Sequence, residues 1–150
     1  MMANLDSSDA FEAVMLGLGG EIFALEAGIV REILDPVPVT EVPGARRFIR
    51  GVINVRGKVV PLADLRLCFG MEPTAPTQDT RMVVVEIDLD GDPTTLGILA
   101  DKVHEVTQVA TASTEEAPRI GMNWRADFIR CIGKRNGDFV VIPNMERIFT

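Results

Sequence analysis

Apolar residues in this chain fall in short runs. None holds a 3.6-residue period over several turns, and Gly and Pro punctuate them singly. That spacing predicts an all-β sandwich or barrel. Residues 11–18 (FEAVMLGL) read as a first strand, with Gly19-Gly20 as a tight turn into a second at 21–25. A third follows at 29–34 (IVREIL). The segment 35–44 (DPVPVTEVPG) is too proline-rich for a central strand and reads as an extended connector. Residues 45–51 read as one short helical turn. A hairpin then pairs 51–56 with 58–61 around Arg56-Gly57, and 62–69 (LADLRLCF) makes a short helix or an irregular turn. The stretch 70–80, with prolines and threonines and no apolar period, reads as a solvated loop.

Beyond that loop, 81–89 and 94–100 flank an Asp90-Gly91-Asp92 turn, and 103–109 follows with imperfect alternation. Residues 126–133 and 138–142 flank Asn136-Gly137, the pair a type I′ hairpin favours. Asn144 is placed to cap a terminal helix, MERIFT. The 70–80 loop divides the strands into two comparable groups. Two small barrels sharing an interface fit this pattern, and so does one sandwich.

Composition supports the β reading: Val, Ile and Thr supply 39 of 150 residues, and their stiff side chains sit well on pleated sheets. A net charge of −7 argues against nucleic acid, since such a chain repels phosphate; no Tyr and one Trp leave no stacking stripe. No apolar run approaches the roughly 20 residues of a membrane span. Cys68 and Cys131 alone make no disulfide framework. The opening MMANLDSSDA has neither the basic start nor the apolar core of a signal peptide. The expectation is a cytoplasmic protein with reduced thiols.

The supply of chemistry is thin. His104 is the only histidine and lies in a strand pattern. No CxxC or Cys/His spacing exists for a metal. GLGG at 17–20 lacks the third glycine and following helix of a dinucleotide site. Asp88, Asp90 and Asp92 resemble a calcium loop, but the twelfth-position glutamate is missing and Pro93 interrupts, so a hairpin tip is the better reading. No catalytic residue, metal or cofactor is expected; a small barrel enzyme using His104 is the alternative of another class. Two features remain. Arg56-Gly57 sits between apolar runs, where a guanidinium offers five donors in a rigid fork. Glu32 stands inside the apolar IVREIL. Pattern alone stops at an all-β domain for binding.

In order and spacing, these segments resemble the CheW family of chemotaxis coupling proteins, from about Phe11 to Phe149. FALEAGIVREIL resembles the family's early strand, with Val30, Glu32 and Ile33 at its core. GVINVRGKVVPLADLR at 51–66 resembles its most distinctive run, carrying Gly51, Asn54, Arg56, Gly57, Pro61, Asp64, Leu65 and Arg66. LGILADKVHEV, with Gly97, Asp101, Val103 and Val106, resembles a third. FIRCIGKRNGDFVVIPNMERIF resembles the last hairpin and helix, with Pro143 a departure, and 111–125 matches nothing and is left to set partner choice.

The resemblance implies two five-stranded SH3-like barrels packed together: a flexible N-terminus over 1–10, then one domain over 11–150 made of two interlocked lobes divided near the 70–80 loop. It implies a non-enzymatic adaptor, without cofactor, that couples chemoreceptor signalling tips to the regulatory domain of a CheA-type histidine kinase. Its location would be cytoplasmic, at the inner face of the membrane through receptor arrays. The alternative within the family is an adaptor of a twitching-motility or surface-sensing pathway. The family places the receptor groove between the barrels. Carried over, Gly51, Asn54, Val55 and Arg56 form one wall, and Val84, Gly97, Ile98 and Leu99 the other. Val30 and Glu32 match the kinase-facing strand. Gly51 and Gly97 also make physical sense as places where a missing side chain lets another backbone approach closely.

Overall fold

The structure is a computed structural model and describes residues 10–112 and 126–150. Its strands are β1 (Ala10–Leu18), β2 (Glu21–Glu26), β3 (Val30–Leu34), β4 (Ile49–Val55), β5 (Lys58–Ala63), β6 (Arg81–Leu89), β7 (Asp92–Ala100), β8 (Lys102–Ala112), β9 (Ile129–Arg135) and β10 (Asp138–Pro143). Two short helices, α1 (Leu65–Cys68) and α2 (Met145–Phe149), follow β5 and β10. Single 3-10 turns occupy Ala27–Ile29 and Ala126–Phe128.

The strands form two five-stranded SH3-like units. One is a closed barrel in the order β1-β2-β10-β9-β8; the other is a sheet in the order β3-β6-β7-β5-β4. Each contains one parallel contact, Val141 with Phe23 in the first and Leu62 and Ala63 with Gly97 and Ile98 in the second. The division expected near 70–80 is corrected: that loop joins α1 to β6 inside the second unit. The chain instead leaves the first unit after β2, builds the whole second unit, and returns at β8. The 70–80 composition marks a connection, and a connection within a lobe looks the same in sequence as one between lobes.

Interleaving leaves strands buried on both faces. On β1, Ala13 and Met15 point into the first barrel while Val14, Leu16 and Leu18 join a layer shared by both units. On β6, Met82 and Val84 fill the second unit while Val83, Val85 and Ile87 face the same layer. This explains the unbroken apolar runs VML and MVVV, which a sheet with one wet face would not tolerate. Phe23 of β2 packs on Phe69, just beyond α1, with ring centroids 5.1 Å apart, so an aromatic pair bridges the units.

A buried polar hub adds a second bridge. Arg66 on α1 is only 3% exposed. Its Nε and Nη2 donate to the two oxygens of fully buried Asp64, each at 2.9 Å, and Nη1 donates to Asp101 Oδ1 at 2.8 Å and to Thr74. Asp101 in turn accepts from the Gly19 N–H at 2.8 Å and donates its own N–H to Gly17 O at 3.0 Å. One guanidinium thus ties α1, the 70–80 loop, the β7–β8 junction and the β1–β2 turn. Asp64 hydrogen bonds raise the Arg66 pKa further above its ordinary value, so the hub stays charged.

Other sequence expectations meet mixed outcomes. No helix forms over 45–51; a single turn, with the Ile49 N–H on Arg46 O at 2.9 Å, leads into β4. β8 runs to Ala112, longer than expected, and pairs with both β1 and β9. Pro143 ends β10 opposite Ile129, beside a register shift that absorbs its missing donor. Asn144 caps α2 by accepting from the Arg147 N–H at 3.1 Å. The expectations for 1–9 and 113–125 lie outside the described residues.

Candidate functional site

The β4–β5 hairpin is a two-residue turn with Arg56 at φ 53° and Gly57 at φ 84°. Asn, Asp or Gly normally takes the first of these positions, because a longer side chain pays a steric penalty there. The Asn54 side-chain oxygen accepts from the Gly57 N–H at 2.9 Å and holds the turn. Held this way, Arg56 aims its fork at Glu32 on β3: Nε donates to Oε2 at 3.0 Å and Nη2 to Oε1 at 3.1 Å. The Arg56 side chain is 80% exposed and that of Glu32 24%. The two Arg56 hydrogen bonds hold the Glu32 carboxyl below its usual range, and Glu32 raises the guanidinium in return. β3 and β4 are the two edges of the second sheet, so this pair laces a seam that no backbone ladder closes.

Two residues that the resemblance assigned to different partners are therefore in direct contact. β3 itself is irregular: Val30 pairs with Val85 but Glu32 with Val84, so a bulge lies between them. Val30 packs against the shared layer and Leu34 against the core of the second unit, with Glu32 half-buried between them. Arg31 is turned outward, where it bonds Glu86 at 3.1 Å, and Ile33 is exposed.

The remaining expected residues separate by burial. Gly51 has φ 146°, and a Cβ there would lie 2.2 Å from Thr40 O, which confirms a close approach of the connector to β4. At Gly97 an added Cβ would meet the Ile53 and Leu62 side chains at 3.3 Å and Pro61 O at 3.5 Å. Val55, Val84 and Ile98 have their side chains in the interior. Asn54, Arg56 and half-buried Leu99 do reach the surface.

A cleft does lie between the units, and none of the residues carried over for the groove lines it. It measures about 590 Å³ and is floored by Leu25, Ile29, Ile87, Ile142 and Met145. Glu26, Glu86, Asp88, Glu146 and Arg130 line it as well. Its residues come from β2 and the turn after it, β6, β9, β10 and α2, stretches far apart in the chain and joined by no common motif. His104 stands exposed on β8, and among the described residues no three His, Cys, Asp or Glu side chains converge as a metal site. Among them, too, no helix is long and apolar enough to cross a membrane.

A CheW-like domain model matches residues 12–150. The chain is 26% identical over 138 residues to chemotaxis protein CheW of Rhizobium meliloti, covering 92% of this chain and 86% of that protein. It is 28% identical over 143 residues to chemotaxis protein CheW of Helicobacter pylori, covering 95% and 84%. Protein PilI of Pseudomonas aeruginosa is 31% identical over 84 residues, 56% of this chain and 47% of PilI. The crystal structure of the scaffolding protein TtCheW from Thermoanaerobacter tengcongensis is similar with a TM-score of 0.78 at 29% identity, covering 93% of this chain and 88% of that one. The family model matches from Glu12 to the last residue, on the same pair of barrels: the chain belongs to the CheW-like family of scaffolding adaptors and is not an enzyme.

Proposed function

We propose that this chain couples the cytoplasmic signalling tip of a chemoreceptor to the regulatory domain of a CheA-type histidine kinase. The Glu32–Arg56 pair carries the reading: the motif residues assigned to the two partners share one bidentate contact at an exposed seam. A receptor tip is a helical hairpin, and an apolar groove with a few orienting polar groups suits it. The cleft between the units offers one such groove, and the surface that carries Asn54, Arg56 and Leu99 lies outside it. Asn54, Arg56 and Leu99 belong to the receptor side, with Gly51 shaping the backbone beneath them. Val30 and Glu32 belong to the kinase side. A partner that pulls on either member of the pair changes what the other can offer its own partner. Such contacts are modest in area and gain strength from many copies held in an array at the inner face of the membrane. No cofactor is needed.

A second reading, an adaptor of a twitching-motility or surface-sensing pathway, is favoured by the similarity to PilI. It uses the same surfaces with a different receptor. The test is phosphate transfer by a purified CheA-type kinase with a receptor fragment, with and without this chain. Activity that depends on the chain supports the coupling; equal activity in both arms refutes it. Exchanging the receptor for one of a surface-sensing pathway separates the two readings.

A further inference from the structure

Ten arginines fall among the described residues. Seven of them hold a carboxylate: Arg31, Arg56, Arg66, Arg81, Arg130, Arg135 and Arg147. Arg46 donates to the carbonyls of Ile148 and Thr150. Arg47 and Arg50 hold nothing among the described residues, in a chain with 22 acidic and 15 basic side chains. Both line one groove of about 510 Å³ on the second unit, clear of the cleft between the units. Its apolar lining includes Val37, Val39, Ile49 and Leu99, and Val39 is 40% exposed. Glu41 shares the lining.

The β4 edge is already occupied at its middle: the outward groups of Val52 are taken by Thr40, with N–H to O distances of 2.8 and 2.9 Å. The groove's side chains offer the more continuous surface for recognition. Aliphatic groups can fill the trough, and carboxylates can meet the Arg47 and Arg50 guanidinia, which suit them in bidentate geometry. Glu41 repels acidic groups in its vicinity and so biases which way round a segment lies. We propose that this groove docks an acidic, aliphatic-anchored segment of a partner protein, with its carboxylates on Arg47 and Arg50. The proposal does not rest on the chemoreceptor reading.

The test titrates the isotope-labelled full chain with the synthetic peptide Ac-Asp-Leu-Glu-Ile-Glu-Leu-NH2 and follows amide chemical shifts. Shifts are expected over 37–50 and at Leu99, with affinity falling about tenfold in the double variant Arg47→Glu/Arg50→Glu. Both positions are exposed, and the variant's own spectrum reports its fold. Glu146→Lys, in the other cleft, should leave binding unchanged. The proposal is overturned by no shifts, by shifts elsewhere, by affinity indifferent to the double reversal, or by equal binding of a peptide with Lys at the acidic positions. Concentration-dependent shifts of the same amides without peptide would show that a second copy of this chain is the occupant, which also overturns it.

Discussion

At Gly51 a single added methyl group meets backbone rather than a movable side chain. Its φ of 146° is open to glycine, and the added Cβ would sit 2.2 Å from a backbone oxygen that cannot swing aside. The conformation alone costs on the order of 1–3 kcal/mol for another residue, and the clash adds to it. Gly51→Ala should therefore lower Tm by about 5 °C or more, read by calorimetry. Cys68 tests burial differently. Desolvation first, and Asp64 second, push its thiol from 9.0 up to about 12. The folded state then holds this proton more tightly than the unfolded state. The resulting stability is fully present below pH 9 and is lost as pH rises towards 12. In a Cys131→Ser background, the native thiol should react with a disulfide reagent at neutral pH about a thousandfold more slowly than after denaturation. Comparable rates would mean the site is open. At this scale Gly51 and the Arg56-Gly57 turn were legible, because a turn and a close approach each demand particular residues. Val55, Val84 and Ile98 turn their side chains inward, a choice of face that the sequence did not show. Alternation says which residues share a face but not which face meets a partner when both are covered.

At the scale of elements, β3 and the β4–β5 hairpin act together. A bulge sets Glu32 at the rim of β3, and an arginine in a left-handed turn reaches across the open seam to meet it. Glu32→Arg alone sets two cations face to face, and Arg56→Glu alone sets two carboxylates. Either should weaken binding to both partners, whereas Glu32→Arg/Arg56→Glu should recover part of it if the pairing itself matters. Titration of receptor fragment and kinase regulatory domain against all three variants decides; a double variant no better than the singles would mean the individual residues are read directly. The lowered Glu32 pKa fixes the pH sense: the pair is present above the ordinary carboxylate value of 4.5 and is lost as pH falls through the lower folded value. The strands themselves were largely readable. Four two-residue turns, at Gly19-Gly20, Arg56-Gly57, Asp90-Gly91 and Asn136-Gly137, all have both residues at positive φ, and each contains the glycine that the turn requires. The helical turn expected over 45–51 failed because one i to i+3 bond there feeds directly into a strand.

For the whole molecule, the lobes interlock because the chain enters one, completes the other and returns. No local composition announces such a return, so the division at 70–80 was misplaced while the pair of barrels was anticipated. The Arg66 hub holds the two units in register through Asp101 and the β1–β2 turn. Arg66→Leu strands two carboxylates, one of them fully buried, and breaking a buried pair costs about 3–5 kcal/mol. A fall in Tm on the order of 10 °C is expected by calorimetry; a change within about 2 °C would show that the Phe23–Phe69 layer alone sets the packing.

The adaptor reading needs both partners on one molecule of this chain at once. The direct measurement is sedimentation of a CheA-type kinase with receptor-bearing membranes in the presence and absence of the chain. The account predicts that kinase reaches the pellet together with the chain and stays in the supernatant without it. Kinase that pellets equally well without the chain, or a chain that pellets while leaving the kinase behind, would contradict it.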